Sequence, residues 1–151
     1  MTGRERRVAL ASDHAGYALK SDLASHLAEL GWEAVDLGTD SEDSTDYPDW
    51  AHRLAEAIHE GRAPLGVLVC GSGTGMSIAA NRHAGVRAAN CLDEEMAELA
   101  REHNDANVLC LGSRIVSPVE AKKILWTFLE TDFGGGRHAR RRDKIEIGRD
   151  A

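Results

Sequence analysis

Val69 to Arg82 reads VCGSGTGMSIAANR, and the fold turns on what this stretch is. An apolar run ends at Cys70, the chain opens into Gly71, Gly73 and Gly75, and residues from about Thr74 to Asn81 read as a helix. A strand that passes through a glycine loop into a helix aims backbone N–H groups and the positive end of the helix dipole at one spot, which suits an anion. It is also the junction from which βα units are built, so the flanking sequence decides whether the unit repeats.

It does repeat. RVALAS (Arg7 to Ser12) reads as a buried strand, and Tyr17 to Leu30 places Leu19, Leu23, Leu27 and Leu30 at helical spacing before Gly31. WEAVDLG (Trp32 to Gly38) is a second strand, followed by the polar loop TDSEDSTDYP and a helix from about Asp49 to Glu60. LGVLVC (Leu65 to Cys70) is the third strand. GVRAANC (Gly85 to Cys91), an acidic helix from Asp93 to His103, NVLCLG (Asn107 to Gly112) and a helix from Ser117 to Thr131 complete the series. Five strands, each followed by a helix, predict an α/β fold with a five-stranded parallel sheet covered on both faces. After Gly134 to Gly136 the composition turns basic, and RHARRRDK is either a further helix or a frayed tail. At 151 residues the chain fits one domain, 1–151, of which 134–151 is this C-terminal basic segment.

Composition excludes several classes of function. Three cysteines, an odd number, argue against a secreted disulfide framework. A net charge of −7 provides no general basic field for nucleic acid, so a phosphate site has to be built from local groups. No apolar run approaches the roughly 18 residues of a membrane span, and the start MTGRERRVALAS lacks an apolar core. The expectation is a soluble, cytoplasmic protein with no nucleic-acid or membrane partner.

In open parallel sheets, ligands sit beyond the carboxyl ends of the strands. The polar residues there are Asp13 and His14, Asp46 and Tyr47, Cys70 to Gly75, Asp93, and Ser113 with Arg114. Two phosphate motifs fail against the glycine loop. A Walker loop requires a lysine that is absent, and the dinucleotide fingerprint would need glycine where Met76 stands, after the first strand rather than the third. Asp93, about 20 residues beyond the loop, keeps a nucleotide-binding module open as an alternative.

The pieces SDHAGYALK, TDYP, CGSGTGMSIAANR, HNDANVL, GSR and GGRHARR, in that order between Val8 and Ile145, resemble the ribose-5-phosphate isomerase B family, which includes allose-6-phosphate and galactose-6-phosphate isomerase subunits. The resemblance implies a Rossmann-like three-layer sandwich and an aldose–ketose isomerase acting on ribose 5-phosphate without metal or organic cofactor. It also implies a homodimer with shared active sites, and whether dimers pair into a tetramer stays open. It casts Cys70 as the base, His103 as the ring-opening group with Asn104 beside it, and Ser72 as the loop hydroxyl. The amides of Gly71, Gly73, Thr74 and Gly75 surround the enediolate oxygen, and Asp13 and Tyr47 touch the sugar. His14, Arg137 and Arg141 take the phosphate, the arginines reaching in from the partner chain. Members that place the base on a carboxylate after the loop differ here, because that position is Met76. Arg142, beside Arg141, is a departure from the pattern, and other sugar phosphates, tetrose or hexose, remain open as substrates.

The residue types suit this chemistry on their own terms. Removing a proton next to a carbonyl builds negative charge on oxygen, which preorganised N–H donors stabilise. A thiol becomes a usable base where amides and a helix N-terminus favour the thiolate. Arg137 and Arg141 at i and i+4 would share one helix face. Each residue also has a plainer reading. Cys70, like Cys91 and Cys110, can be a small buried hydrophobe, His103 a helix C-cap, Asp13 an N-cap, and the arginine run a solvated tail.

Overall fold

The computed structural model describes residues 5–148; residues 1–4 and 149–151, the extremities of the expected domain and basic segment, lie outside the described residues. Five strands, β1 (Arg7–Ser12), β2 (Glu33–Asp36), β3 (Leu65–Cys70), β4 (Ala88–Asn90) and β5 (Val108–Gly112), form one sheet in the order β2-β1-β3-β5-β4. Every pairing is parallel. Six α-helices accompany them: α1 (Tyr17–Glu29), α2 (Tyr47–His59), α3 (Thr74–Ala80), α4 (Glu94–Asn104), α5 (Pro118–Glu130) and α6 (Arg137–Asp143).

Alternation along the strands sorts side chains into two cores. Val8, Leu10, Val67, Val69, Leu109 and Leu111 meet Leu19, Leu23 and Leu27 of α1, Ala97 and Ala100 of α4, and Ile124, Leu125 and Phe128 of α5. Their neighbours Ala9, Ala11, Leu68, Cys70, Val108 and Cys110 point the other way, against Ala51, Leu54 and Ala55 of α2 and Met76, Ala79 and Ala80 of α3. The three-layer α/β arrangement expected from the sequence is therefore present, and Cys70 lies on the face covered by α2 and α3.

The element boundaries differ from the sequence reading in ways that have local causes. α2 begins at Tyr47, not Asp49, because Pro48 sits in the first turn, where its missing N–H leaves no bond unmade. β4 is three residues, not the span from Gly85 to Cys91. Gly85 has a left-handed φ of 81°, and the Asn107 side chain accepts the Arg87 N–H at 2.8 Å in place of a strand partner. β2 is likewise shorter than Trp32 to Gly38. The basic segment forms a helix, α6.

Asp93 caps α4, its carboxylate accepting the Met96 N–H at 2.9 Å. β5 lies between β3 and β4, so the strand that follows the glycine loop is not its neighbour. Both facts separate this chain from a dinucleotide-binding βαβ unit, where successive strands adjoin. Between β1 and β3 the chain reverses its direction of travel across the sheet. That reversal opens a crevice beyond the carboxyl ends of the two strands.

Candidate active site

β3 is buried along its whole length and delivers Cys70 to that crevice. The Cys70 Sγ accepts the Gly73 N–H at 3.2 Å, and the Ser72 hydroxyl accepts the Thr74 N–H at 3.2 Å. Gly73 has φ +80°, a left-handed conformation that the tight turn into α3 requires and that glycine adopts at least cost. Gly75 answers a different constraint, since a Cβ there would come within 2.5 Å of the Tyr47 ring.

Around the thiol lies a cleft of about 380 Å³ lined by Asp13, Tyr47, Cys70, Gly71, Ser72, Gly75, Arg114 and Ile115. Asp13 follows β1 almost wholly buried and caps the short 3₁₀ turn, accepting the Gly16 N–H at 3.1 Å. The plain N-cap reading and the cleft position thus hold together. His14 is next, and its Nδ1 accepts the Thr45 N–H at 3.2 Å. That bond leaves Nε2 to carry the proton of a neutral ring, so the free edge is a donor.

The end of β1 is braced from behind. The Ser12 N–H donates to the Gly38 carbonyl at 2.9 Å, and the Thr39 N–H donates back to Ser12 at 3.0 Å. Lys20, only 1% exposed, donates to the Thr39 carbonyl at 2.7 Å and to the Asp36 carboxylate at 2.6 Å. This buried cation sits among Leu19, Leu23 and Leu27 on α1. An apolar pattern gives no sign of it.

The remaining expected residues lie elsewhere. α4 runs back against the strands, so its last residues, His103 and Asn104, lie at the amino end of the sheet. Val108 at the start of β5 pairs with Gly66, whereas Gly112 at its end pairs with Cys70. Four residues of strand, about 13 Å, separate the two levels. At the amino end the His103 ring stacks on His138 of α6, centroids 4.4 Å apart and planes 12° apart. Desolvation, then the charges of His103, Arg137 and Arg141, hold His138 below the ordinary histidine range, with Glu102 opposing. One chain therefore gathers Asp13, His14, Tyr47 and Cys70 to Gly75 at one end, and His103, Asn104, Arg137 and Arg141 at the other.

One residue at the cleft and one behind its glycine loop had no role assigned from sequence. Arg114, collected there only as a polar residue after strand five, brings its guanidinium against Gly71. Asn90 ends β4 and reaches the glycine loop from behind, its amide Nδ2 donating to the Ser72 carbonyl at 3.3 Å and to the Thr74 hydroxyl at 3.4 Å. The strand-end rule finds Asn90 once β4 is known to stop at that residue rather than at Cys91.

The model of the Ribose/Galactose Isomerase family matches residues 8–145. The chain belongs to that family. It is 44% identical over 140 residues to the ribose-5-phosphate isomerase B of Escherichia coli K12, covering 93% of this chain and 94% of that protein. Among solved structures, the ribose 5-phosphate isomerase of Thermotoga maritima is 50% identical with a TM-score of 0.90, covering 92% of this chain and 96% of that one. The ribose-5-phosphate isomerase B of Clostridium thermocellum is 47% identical with a TM-score of 0.91, covering 92% and 94%. Within the family fold, the thiol, the loop amides and the cleft occupy the carboxyl edge of the sheet. No helix among the described residues is long and apolar enough to cross a membrane.

Proposed function

We propose that this protein interconverts ribose 5-phosphate and ribulose 5-phosphate, with Cys70 as the base. The observation that carries the reading is Cys70 lining a cleft while its sulfur accepts the N–H of a glycine loop at a helix start. In the aldose, the C2–H bond breaks and its proton passes to the sulfur. The released electron pair forms the C1–C2 double bond and leaves the C1 carbonyl oxygen as an enediolate. The amides of Gly71 and Gly75, with the Ser72 hydroxyl that the Thr74 N–H orients, stabilise that oxygen, while the Gly73 N–H stays on the sulfur. The proton then returns from Cys70 to C1, and the C2 hydroxyl proton moves to O1, giving the ketose.

Sugar phosphate of this size has to be opened from its ring form and held by its phosphate. His14, with a donor at Nε2, stands on the Cys70 side. His103, Asn104, Arg137 and Arg141 form the complementary set, supplied by a second copy of the chain, a reading that their place at the far end of the sheet supports. His103 would exchange a proton with the ring oxygen, Asn104 would bind the sugar, and Arg137 and Arg141 would bind the phosphate as paired guanidiniums do. Asp13 and Tyr47 line the sugar position.

A coupled assay of the purified chain against ribose 5-phosphate, a tetrose phosphate and hexose 6-phosphates tests this reading. Turnover of ribose 5-phosphate above the others is expected. Turnover confined to another sugar would reassign the substrate, and adenine-nucleotide binding without any turnover would overturn the isomerase reading.

A further inference from the structure

We infer that Asn90 is the positioning residue that turns the glycine loop's amides toward the Cys70 sulfur. Three successive carbonyls of this loop each take a donor from a neighbouring element. The Ser113 N–H donates to the Cys70 carbonyl at 2.8 Å, and the Arg114 N–H donates to the Gly71 carbonyl at 3.0 Å. The third carbonyl, that of Ser72, takes its donor from a side chain, the Asn90 amide at 3.3 Å.

The peptide bond makes this third contact consequential. A trans peptide is planar, with its C=O and N–H on opposite sides. When Asn90 fixes the Ser72 carbonyl, it fixes the N–H of the same peptide unit, that of Gly73, facing the other way. That N–H is the one that donates to Cys70 at 3.2 Å. The Ser72 contact also settles which end of the side chain faces the loop, since a backbone carbonyl can only accept and so takes the amide Nδ2, which reaches the Thr74 hydroxyl as well.

The opposite end of the same side chain closes the alternative. The buried Asn90 Oδ1 has no hydrogen-bond partner in the structure and packs on the Cα side of Gly73, where a Cβ would come within 2.4 Å of it. A buried carbonyl oxygen without a partner is costly. Its retention here is accounted for by what the other end of the amide holds. A donor on a thiolate favours the charged form, so Asn90 acts on the base through one peptide unit without touching substrate.

Other groups around the sulfur bear on its reactivity. Asp13 at the end of β1, Tyr47 at the start of α2 and Arg114 after β5 line the same cleft, and Cys110 of β5 lies behind. Asn90 hydrogen-bonds to none of them, so its replacement acts on the sulfur through the glycine loop. The inference rests on the reading of Cys70 as base only for its effect on turnover; its effect on thiol reactivity is independent of it.

The test is Asn90→Leu, which keeps the branched shape at a larger volume and removes the donor, with Asn90→Ala as the smaller variant should the first not fold. Iodoacetamide modification of Cys70, followed by mass spectrometry from pH 6 to 10, should be about 10-fold slower near neutrality than in the parent protein, the scale of one hydrogen bond to a charged group. Its pH profile should move to the alkaline side. The value of kcat should fall by a similar factor, with KM within about 2-fold. An unchanged alkylation rate and pH profile in a folded variant overturns the inference, whatever happens to stability or turnover. If the profile shifts but kcat does not, the positioning stands and the assignment of Cys70 as base is what fails.

Discussion

Cys70 is one of three buried, unpaired cysteines, and what distinguishes it is its neighbours rather than its burial. Burial, then the charge of Asp93, pushes the Cys91 thiol up to about 12. Burial, then Cys70 and Cys91, pushes Cys110 up as well. Near neutral pH these two stay protonated and unreactive. Iodoacetamide should therefore modify Cys70 well ahead of both, with substrate protecting it. Cys70→Ala should lower kcat by a factor on the order of 10² to 10⁴ while its melting curve remains cooperative. Normal turnover in that folded variant would remove Cys70 from the role of base. At this scale the sequence was informative where chemistry coincides with a strand end, because Asp13, Tyr47 and the loop follow from one topological rule. It was silent where a polar side chain serves another residue. Lys20 stands on the buried face of α1 and is satisfied by partners 16 and 19 residues away in sequence, which no local pattern displays.

Among the elements, α6 is the least self-sufficient. Seven residues cannot hold a helix in water by local bonds alone, which is why the sequence left the segment open between helix and tail. What fixes it is Asp105, the left-handed C-cap of α4, whose carboxylate accepts Arg87 at 3.4 Å, Arg101 at 3.3 Å and Arg142 at 2.7 Å. Arg142 also lies over the Phe133 ring, 4.8 Å from its centroid. Arg142, the arginine beside Arg141, thus docks the helix. His138 and Arg142, at i and i+4, pack toward α4, and the neighbouring face carries the exposed Arg137 and Arg141. Arg142→Ala should speed tryptic cleavage within α6 and raise KM for the sugar phosphate severalfold, with kcat changed less. Unaltered cleavage would mean that α6 is held without Arg142. The docking should also depend on pH. His138 binds protons less readily when docked than when free, so the free segment holds more protons at mildly acidic pH. Docking should weaken as pH falls below the ordinary histidine value and persist above it. Hydrogen exchange of α6 at pH 5.5 and 7.5 would measure the difference.

Across the whole molecule, the alternation of strand side chains and the regular βα punctuation made the sheet legible, whereas the strand order and the lengths of β2 and β4 depended on tertiary contacts that those patterns do not encode. The same sheet keeps the two sets of site residues apart. Cys70 lies at its carboxyl edge and the His103–His138 stack at its amino edge, with β5 spanning the gap. A rigid parallel sheet cannot fold back to join its own ends, so the geometry favours sites assembled from two copies, each supplying one set to the other. That arrangement has a quantitative consequence. Arg141→Ala alone should raise KM strongly and lower kcat/KM by about 2 to 4 kcal/mol equivalent, the scale of a lost buried charge contact. Mixed with an inactive Cys70→Ala protein and allowed to exchange, it should regain activity, because each hybrid dimer holds one site with Cys70 and Arg141 both intact. Random exchange makes half the dimers hybrids, each with one of two sites working, so recovery should approach about a quarter of the unmutated activity. Native mass spectrometry would count the hybrids. Hybrids present without recovered turnover would place Cys70 and Arg141 in one chain's pocket and require α6 to cross the sheet, against the distance that β5 imposes.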